Sequence, residues 1–255
     1  MTLKTLDNSL NVLKYFTNIT PSWGVRELAK EMDMNHTIVY RILSTFENHG
    51  FLYQNDVTKK YHLGLRFLGY GQIVQKQFNI SQAIHPIMER VANQTNESAF
   101  LTWLDGHDGV TVDIAESSQQ IRFDVDIGSR SPLHAGASCK VMMAYLSKEE
   151  QEELIQKGLE ELTPNTIVDA EELRADLNTI RDQGWVYSVG EFADQVFGLG
   201  VPLFDQGQKI LASLTIAGPA YRLSESDVEG HVDILLKEAE TIQTFLNQSG
   251  SQSYI

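Results

Sequence analysis

A single cysteine, Cys139, leaves this sequence without an internal disulfide or a cysteine-rich zinc site. Only 6 prolines and 18 glycines are spread over 255 residues, which excludes collagen-like and low-complexity chains. No run approaches the ~20 apolar residues of a membrane-spanning helix. The start, MTLKTLDNSLNVLK, lacks both the apolar core and the small-residue cleavage site of a signal peptide, so the expected location is the cytoplasm. The glycosylation-like tripeptides at Asn18, Asn35 and Asn96 are then chance matches. Basic residues are also scarce, 20 against 34 acidic ones for a net charge of −14, which for the chain as a whole argues against nucleic acid. What remains is an ordinary globular composition, 42% hydrophobic and 21% charged, long enough for one large domain or two smaller ones.

Dividing the charge changes the picture. Residues 1–71 carry 8 basic and 6 acidic side chains, leaving 12 basic and 28 acidic for residues 72–255. A mildly basic N-terminal quarter on a strongly acidic remainder points to two modules with different partners.

In the first module Leu6, Leu10, Leu13 and Phe16 form one stripe of an amphipathic helix, ended by the turn formers of residues 17–22. A short second helix turns Val25, Leu28, Ala29 and Met32 inward and Arg26, Glu27, Lys30 and Glu31 outward. Asn35 is an N-cap for a third helix that buries Val39, Ile42, Leu43 and Phe46, and Gly50 stands where a left-handed C-cap is expected. The β-prone runs 51–53 and 61–63 flank a polar hairpin tip. Three helices and a hairpin read as a winged helix-turn-helix. A major groove ~12 Å wide admits one helix, and the outward face of the third carries His36, Thr37, Tyr40, Arg41 and Ser44. Arg41 is the candidate for a bidentate guanine contact or a phosphate clamp. Arg26 adds an outward cation, and Lys59 and Lys60 at the wing tip would meet the backbone or minor groove. A trihelical fold with a wing also serves protein–protein interaction, so DNA is one of two partners this layout allows.

An apolar-periodic stretch over 65–79 predicts a linker helix, and Ile84, Ile87, Met88 and Val91 predict a second helix over 80–94. Strands are expected at 98–104 and 110–114 around a hairpin turn, and at 121–127 from strict alternation. A small-residue loop, 128–138, leads into a helix with Val141, Met142, Tyr145 and Leu146. Helices near 149–157 and 169–183, strands near 185–190, 199–204 and 209–217, and a closing helix over 224–246 complete the pattern. Strand runs flanked by helices describe an α+β domain with an antiparallel sheet. The loop-to-helix junction Ala137-Ser138-Cys139 is the best candidate site, because free N–H groups at a helix start attract anions. Glycines recur at Gly190, Gly198 and Gly200 on the later strands, and the polar Ser188, Glu191, Asp194 and Thr215 there are candidates to line the same cavity, although the glycines also suit tight turns and a bulge.

Enzyme signatures are weak. The segment Gly136-Ala137-Ser138-Cys139-Lys140 lacks the second glycine of a nucleophile elbow. His134 beside Ser138 and Cys139 has no third group to orient it and reads better as a loop anchor. No histidine pair has zinc spacing and no phosphate loop is present, so no metal or cofactor is expected. Cys139 at a helix start allows the alternative of a redox sensor or a thiol enzyme, through a lowered pKa.

Five ordered motifs, VRELAKEMDMNHTIVYRILSTFENHGFL, KKYHLGLRFLGYG, GSRSPLHAGASCKVMMAYLS, RDQGWVYSVGEFADQVFGLGVPLFD and LTIAGPAYRLSESDV, together resemble the IclR family of bacterial transcription regulators over about residues 5–247. The resemblance implies a winged helix-turn-helix DNA-binding domain (1–64), a linker helix (65–79), a GAF-like effector-binding domain (80–248) and a tail (249–255). It implies a homodimer formed through the N-terminal parts, often paired into a tetramer, that binds double-stranded operator DNA. It also implies a regulator that represses or activates a catabolic operon, repression being the expectation here, in answer to a small organic acid or aromatic metabolite. Carried over residue by residue, the effector pocket is lined by Phe123, Ala137, Ser138, Ser188, Val196, Gly198, Thr215 and Ala217. Keto-acid-binding members carry polar Asp, Cys and Ser where this chain has Ser188, Gly198 and Ala217. That difference predicts a roomier, less polar cavity and a ligand larger than pyruvate or glyoxylate.

Overall fold

The computed structural model describes residues 3–77 and 80–248. The chain divides into two compact units, Met1–Phe78 and Asn79–Ile255. The last two residues of the expected linker and the expected tail lie outside the described residues.

In the first unit α1 (Lys4–Leu13), α2 (Val25–Glu31) and α3 (His36–Asn48) precede the wing strands β2 (Leu52–Gln54) and β3 (Tyr61–Leu63), and α4 (Arg66–Gln77) follows. The α3 start is as the sequence requires: the Asn35 side chain accepts the Thr37 N–H at 2.8 Å. At its end Gly50 takes a left-handed φ of +72°, and Gly50 N–H donates to the Glu47 carbonyl. A two-residue strand, β1 (Ser22–Trp23), pairs with β3 and makes the order β1-β3-β2. Two residues give no alternation to read, so a turn is expected there instead; Trp23 Nε1–H donating to the Tyr15 carbonyl at 2.7 Å helps fix the bridge. Val12, Phe16, Leu28, Val39, Leu43 and Tyr61 form the core. The α1 stripe needs correction, for Leu6 and Leu10 are exposed and Val12 is the residue that α1 buries. The hydrophobic cluster built on α2 and α3 receives only the end of α1.

The second unit is a six-stranded antiparallel sheet of order β6-β5-β4-β9-β8-β7. Its strands are β4 (Ser98–Asp105), β5 (Asp108–Ala115), β6 (Arg130–Pro132), β7 (Val186–Val189), β8 (Val196–Phe204) and β9 (Ile210–Pro219). The helices are α5 (Ile80–Thr95), α6 (Ala137–Tyr145), α7 (Lys148–Lys157), α8 (Ala170–Gln183) and α9 (Val228–Gln248). Both faces of β9 are covered. Ser213, Thr215 and Ala217 face α6, where Ser213 Oγ donates to the Ser138 carbonyl at 2.8 Å, and the alternate Ala212, Leu214 and Ile216 are buried on the other side. The α5 and α9 helices pack on each other and are tied by Arg90 to Glu238 at 2.6 Å. A bulge at Leu101/Thr102 changes the face of β5 midway. As a result Thr111 turns toward α6 and Asp113 toward α5, where it meets His85 at 3.0 Å.

The expected strand over 121–127 is absent. The segment alternates, with Phe123 and Val125 inward and Ile121 and Ile127 exposed, but it lies across the sheet as an extended strap outside any ladder. The short edge strand β6 follows it, inside the stretch expected to be a loop.

A buried ion triad locks α6 in place. Lys140, 1% exposed, sends Nζ to Asp176 Oδ2 on α8 at 2.6 Å and to Glu191 Oε1 after β7 at 2.7 Å. Removing one partner of such a set leaves uncompensated charge, so Lys140→Met is expected to cost about 3 kcal/mol. That is the low end of the usual range, because Asp176 keeps contact with water; urea denaturation measures it.

Candidate functional site

Two sets of residues stand out, one in each unit. On the first unit the exposed face of α3 presents His36, Thr37, Tyr40 and Arg41 to solvent. Ser44, one turn on, is half-buried near the Tyr61 hydroxyl, whose pKa burial raises and Ser44 lowers. Ser44 thus stands closer to the junction of α3 with the wing than to solvent. Arg26 is exposed on α2. At the wing tip Asn55 Oδ1 accepts the N–H groups of Val57 and Thr58, and Lys59 closes the turn with a left-handed φ of +55°, its side chain exposed. Lys60 is drawn back to Glu27 at 2.9 Å, whose carboxylate also accepts the Gly24 N–H at the start of α2. Lys60 and then that N–H hold the Glu27 carboxyl below its ordinary pKa. Lys59 is thus offered outward, while Lys60 is committed within the unit.

On the second unit one cavity of about 60 Å³ gathers Phe123, Ala137, Ser138, Ser188, Val196, Gly198, Thr215 and Ala217, the eight residues that the family resemblance assigns to the effector pocket. Gly198 and Gly200 let α6 come down on β8. A Cβ on Gly198 would stand 2.9 Å from the Ala137 Cβ, and one on Gly200 2.9 Å from Thr215 Oγ1. Space freed by glycine on the strand is therefore filled by the helix. This corrects the expected roomier cavity: at about 10–15 Å³ per water, 60 Å³ holds roughly four to six water-sized groups.

The lining also contains Phe100, Thr102, Thr111, Val125, Ser131, Gly136, Phe192, Ala193 and Phe197, which sequence reasoning missed. Period two along β4 would have found Phe100 and Thr102. Phe192 and Ala193 sit in an irregular loop with no periodic signal. Phe123 meets Phe100 and Phe192 edge-on at 5.8 and 6.3 Å and narrows the space.

Among the described residues no ionisable side chain lines the cavity. Its polar character comes from the hydroxyls of Thr102, Thr111, Ser131, Ser138, Ser188 and Thr215 and from the start of α6. The Thr215 hydroxyl, on a residue 3% exposed, has no hydrogen-bond partner among the described residues. Buried hydroxyls are rarely left so, and an unmet one facing a cavity marks where a bound molecule's polar atom belongs. The N–H groups of Ala137, Ser138 and Cys139 precede the first α6 hydrogen bond, Lys140 N–H to the Gly136 carbonyl, and lack helical partners. Burial raises the pKa of the Glu191 carboxyl, while Lys140 and the Gly136 backbone help to hold it down, and its Oε2 has no hydrogen-bond partner among the described residues. Glu191 thus belongs to the support behind the cavity, and Asp194 is exposed; both are corrected as lining candidates.

Cys139 turns away from this chemistry. Its sulfur is fully buried against Gly109, where a Cβ would come within 2.7 Å, and burial pushes the thiol up to about 12. Desolvation outweighs the helix start, so the expected lowering is reversed and the thiolate form is disfavoured at neutral pH. His134 Nε2–H donates to the Glu160 carbonyl at 2.9 Å, anchoring its loop.

Comparison with known proteins matches residues 5–56 to the IclR helix-turn-helix domain and residues 72–244 to the C-terminal domain of IclR bacterial transcriptional regulators. The chain belongs to the IclR family of bacterial transcriptional regulators. The HTH-type transcriptional regulator KipR of Bacillus subtilis is 33% identical over 223 residues, 87% of this chain and 88% of its own. The HTH-type transcriptional repressor AllR of Escherichia coli is 25% identical over 242 residues, 94% and 89% of the two chains. An IclR homolog of Microbacterium hydrocarbonoxydans, solved in complex with 4-hydroxybenzoate, has the same fold, with a TM-score of 0.79, 23% identity and coverage of 95% and 98%. Membership of a family whose named relatives regulate transcription replaces the alternative of a thiol enzyme built on Cys139.

Two measurements check this account of the site. Thr215→Val removes an unmet hydroxyl without changing shape and is expected to be neutral or stabilising by up to about 1 kcal/mol in thermal melts. Iodoacetamide at pH 8 should leave native Cys139 unmodified for hours and alkylate it within minutes in denaturant.

Proposed function

We propose that this protein is an effector-responsive repressor of a catabolic operon, located in the cytoplasm. Residues 1–64 read operator DNA, residues 65–79 link, and residues 80–248 hold a small-molecule effector in a GAF-like domain. The protein acts as a homodimer whose recognition helices meet half-sites about one helical turn, ~34 Å, apart. Two such dimers can pair as a tetramer. On α3 His36, Thr37, Tyr40 and Arg41 face the base edges, with Ser44 behind them, while Arg26, Lys59 and Lys60 serve the phosphates. Lys59 carries more of that role because Lys60 is paired with Glu27.

The observation that carries the effector reading is the unpartnered Thr215 hydroxyl in a cavity that also receives the start of α6. A single carboxylate or carbonyl fits there, its oxygens accepting from the N–H groups of Ala137 and Ser138 and from Thr215 Oγ1. The apolar remainder of the ligand lies against Phe123, Val196 and Ala217, with Ser188 and Gly198 completing the wall. With no side-chain cation in the lining, a dicarboxylate would bring one charge without a partner, so monoacids are favoured. The 4-hydroxybenzoate held by the Microbacterium homolog is a compound of this chemical class. The room present favours an acid of pyruvate size unless the rings of the strap withdraw.

An effector that prefers one arrangement of the domains changes operator affinity by ~5–150-fold, equivalent to ~1–3 kcal/mol of coupling. Arg41→Ala is expected to abolish the gel shift of the protein's own promoter region with an unchanged melting temperature. Retained affinity would remove α3 from the interface. Calorimetry with pyruvate, glyoxylate and 4-hydroxybenzoate tests the cavity, and Thr215→Val is expected to weaken the bound acid about tenfold. Equal binding by wild type and variant would place the acid elsewhere.

A further inference from the structure

Residues 116–128 cross from β5 toward β6 without joining a ladder, yet they carry Phe123 and Val125 onto the cavity. The strap is tied at its start, where Ser117 N–H donates to Ser98 Oγ at 3.0 Å and Ser117 Oγ donates to the Asn96 carbonyl at 2.7 Å. At its end Gly128 N–H donates to the Thr111 carbonyl at 2.7 Å. Between these, Arg222 Nη2 donates to the Ile121 carbonyl. Arg222 lies in the single turn after β9, the strand that bears Thr215 and Ala217.

Arg222 is itself held from below. Its Nε lies 3.0 Å from Glu97 Oε1, close enough for an ion pair but not aligned as a hydrogen bond. The other oxygen, Glu97 Oε2, is buried and has no hydrogen-bond partner among the described residues. Room for this carboxyl group exists because β9 has Gly218 there; any Cβ would collide with it. A carboxyl so poorly satisfied costs free energy, and the packing retains it beside one guanidinium.

We propose that Glu97 and Arg222 form a latch on the strap, the carboxylate aiming the guanidinium at the Ile121 carbonyl and thereby setting how far Phe123 and Val125 close over the cavity. The latch decides the size of acid admitted, and it rests on the reading of that cavity as the effector site. Neither residue lines the cavity, so both are positioning residues.

Burial raises the Glu97 carboxyl to about 7 against the pull of Arg222, the one charge acting on it among the described residues. The neighbouring Gly218 on β9 and Thr95 at the end of α5 bring none. Above about pH 7 the pair is charged and grips the strap; below it the carboxyl is neutral and the grip slackens. The contribution of Glu97 to global stability has the opposite sign. A raised folded-state value favours the protonated native form, so that contribution is full below the ordinary value of 4.5 and is lost as the pH rises through 7.

Hydrogen exchange of the full chain, read by mass spectrometry from pH 6 to 8 and normalised to unstructured peptides at each pH, tests the latch. In wild type the protection of amides 118–127 is expected to rise with pH while that of α8 does not. Glu97→Gln should hold the strap at its low-pH level throughout. Arg222→Lys, which keeps the charge but not the reach to two partners, should speed strap exchange about tenfold. Strap exchange unchanged in both variants, or a pH trend that survives in Glu97→Gln, overturns the proposal. Calorimetry with pyruvate and 4-hydroxybenzoate separates the two readings. A shift of preference toward the larger acid in Arg222→Lys supports the latch as a size filter. Binding of both acids with the same preference as wild type overturns the filter. If neither acid binds wild type while the strap still responds, the cavity reading fails and takes the size filter with it, but the tie to Ile121 stands.

Discussion

The second unit depends on how closely the start of α6 rests on β8. Two glycines, alternate along one strand, remove the side chains that would hold the helix away, and Ala137 occupies the space they leave. That contact brings the unpaired N–H groups of the helix beside the Thr215 hydroxyl. It also forces the cavity to be small. The Lys140 triad secures the helix from behind, joining α8 and the loop that carries Phe192 and Ala193. Polar atoms near the cavity therefore fall into two groups. The charged ones pair with each other outside it, and the uncharged ones face in. Such a cavity offers hydrogen bonds and shape rather than charge.

Much of this was legible in the amino-acid order. Helices with both a cap and a stripe, such as α3 with Asn35 and Gly50, can be placed closely because local chemistry and burial agree. The hairpin β4–β5 follows from its turn, with Gly106 at φ +61°. Residues quoted for a family resemblance converged on one cavity although they come from four separate stretches. Pattern failed where burial and hydrogen bonding part company. Alternation at 121–127 records which side chains face inward, and the backbone there never joins the sheet. Leu6 and Leu10 show the converse, since an apolar stripe does not say what, if anything, in the same unit covers it.

Electrostatic expectations were the least legible. Cys139 at a helix start reads as an acidic thiol until its burial is known, and burial decides the sign. Lys60 reads as a cation for a phosphate until Glu27 is found beside it. Sequence gives the charge of each group, whereas its availability depends on neighbours distant along the chain.

The bulge in the hairpin carries an evolutionary consequence. One surplus residue puts Thr111 and Asp113, two apart in sequence, on opposite sides of the sheet, the first on the cavity wall and the second in the His85 contact on α5. Pairing the strand without that irregularity would set Asp113 opposite Phe100, turning a carboxylate into the cavity and leaving the helix contact bare. Deleting the surplus residue as well would keep each side chain on its present side, so descendants that lose the bulge should also be one residue shorter in this hairpin.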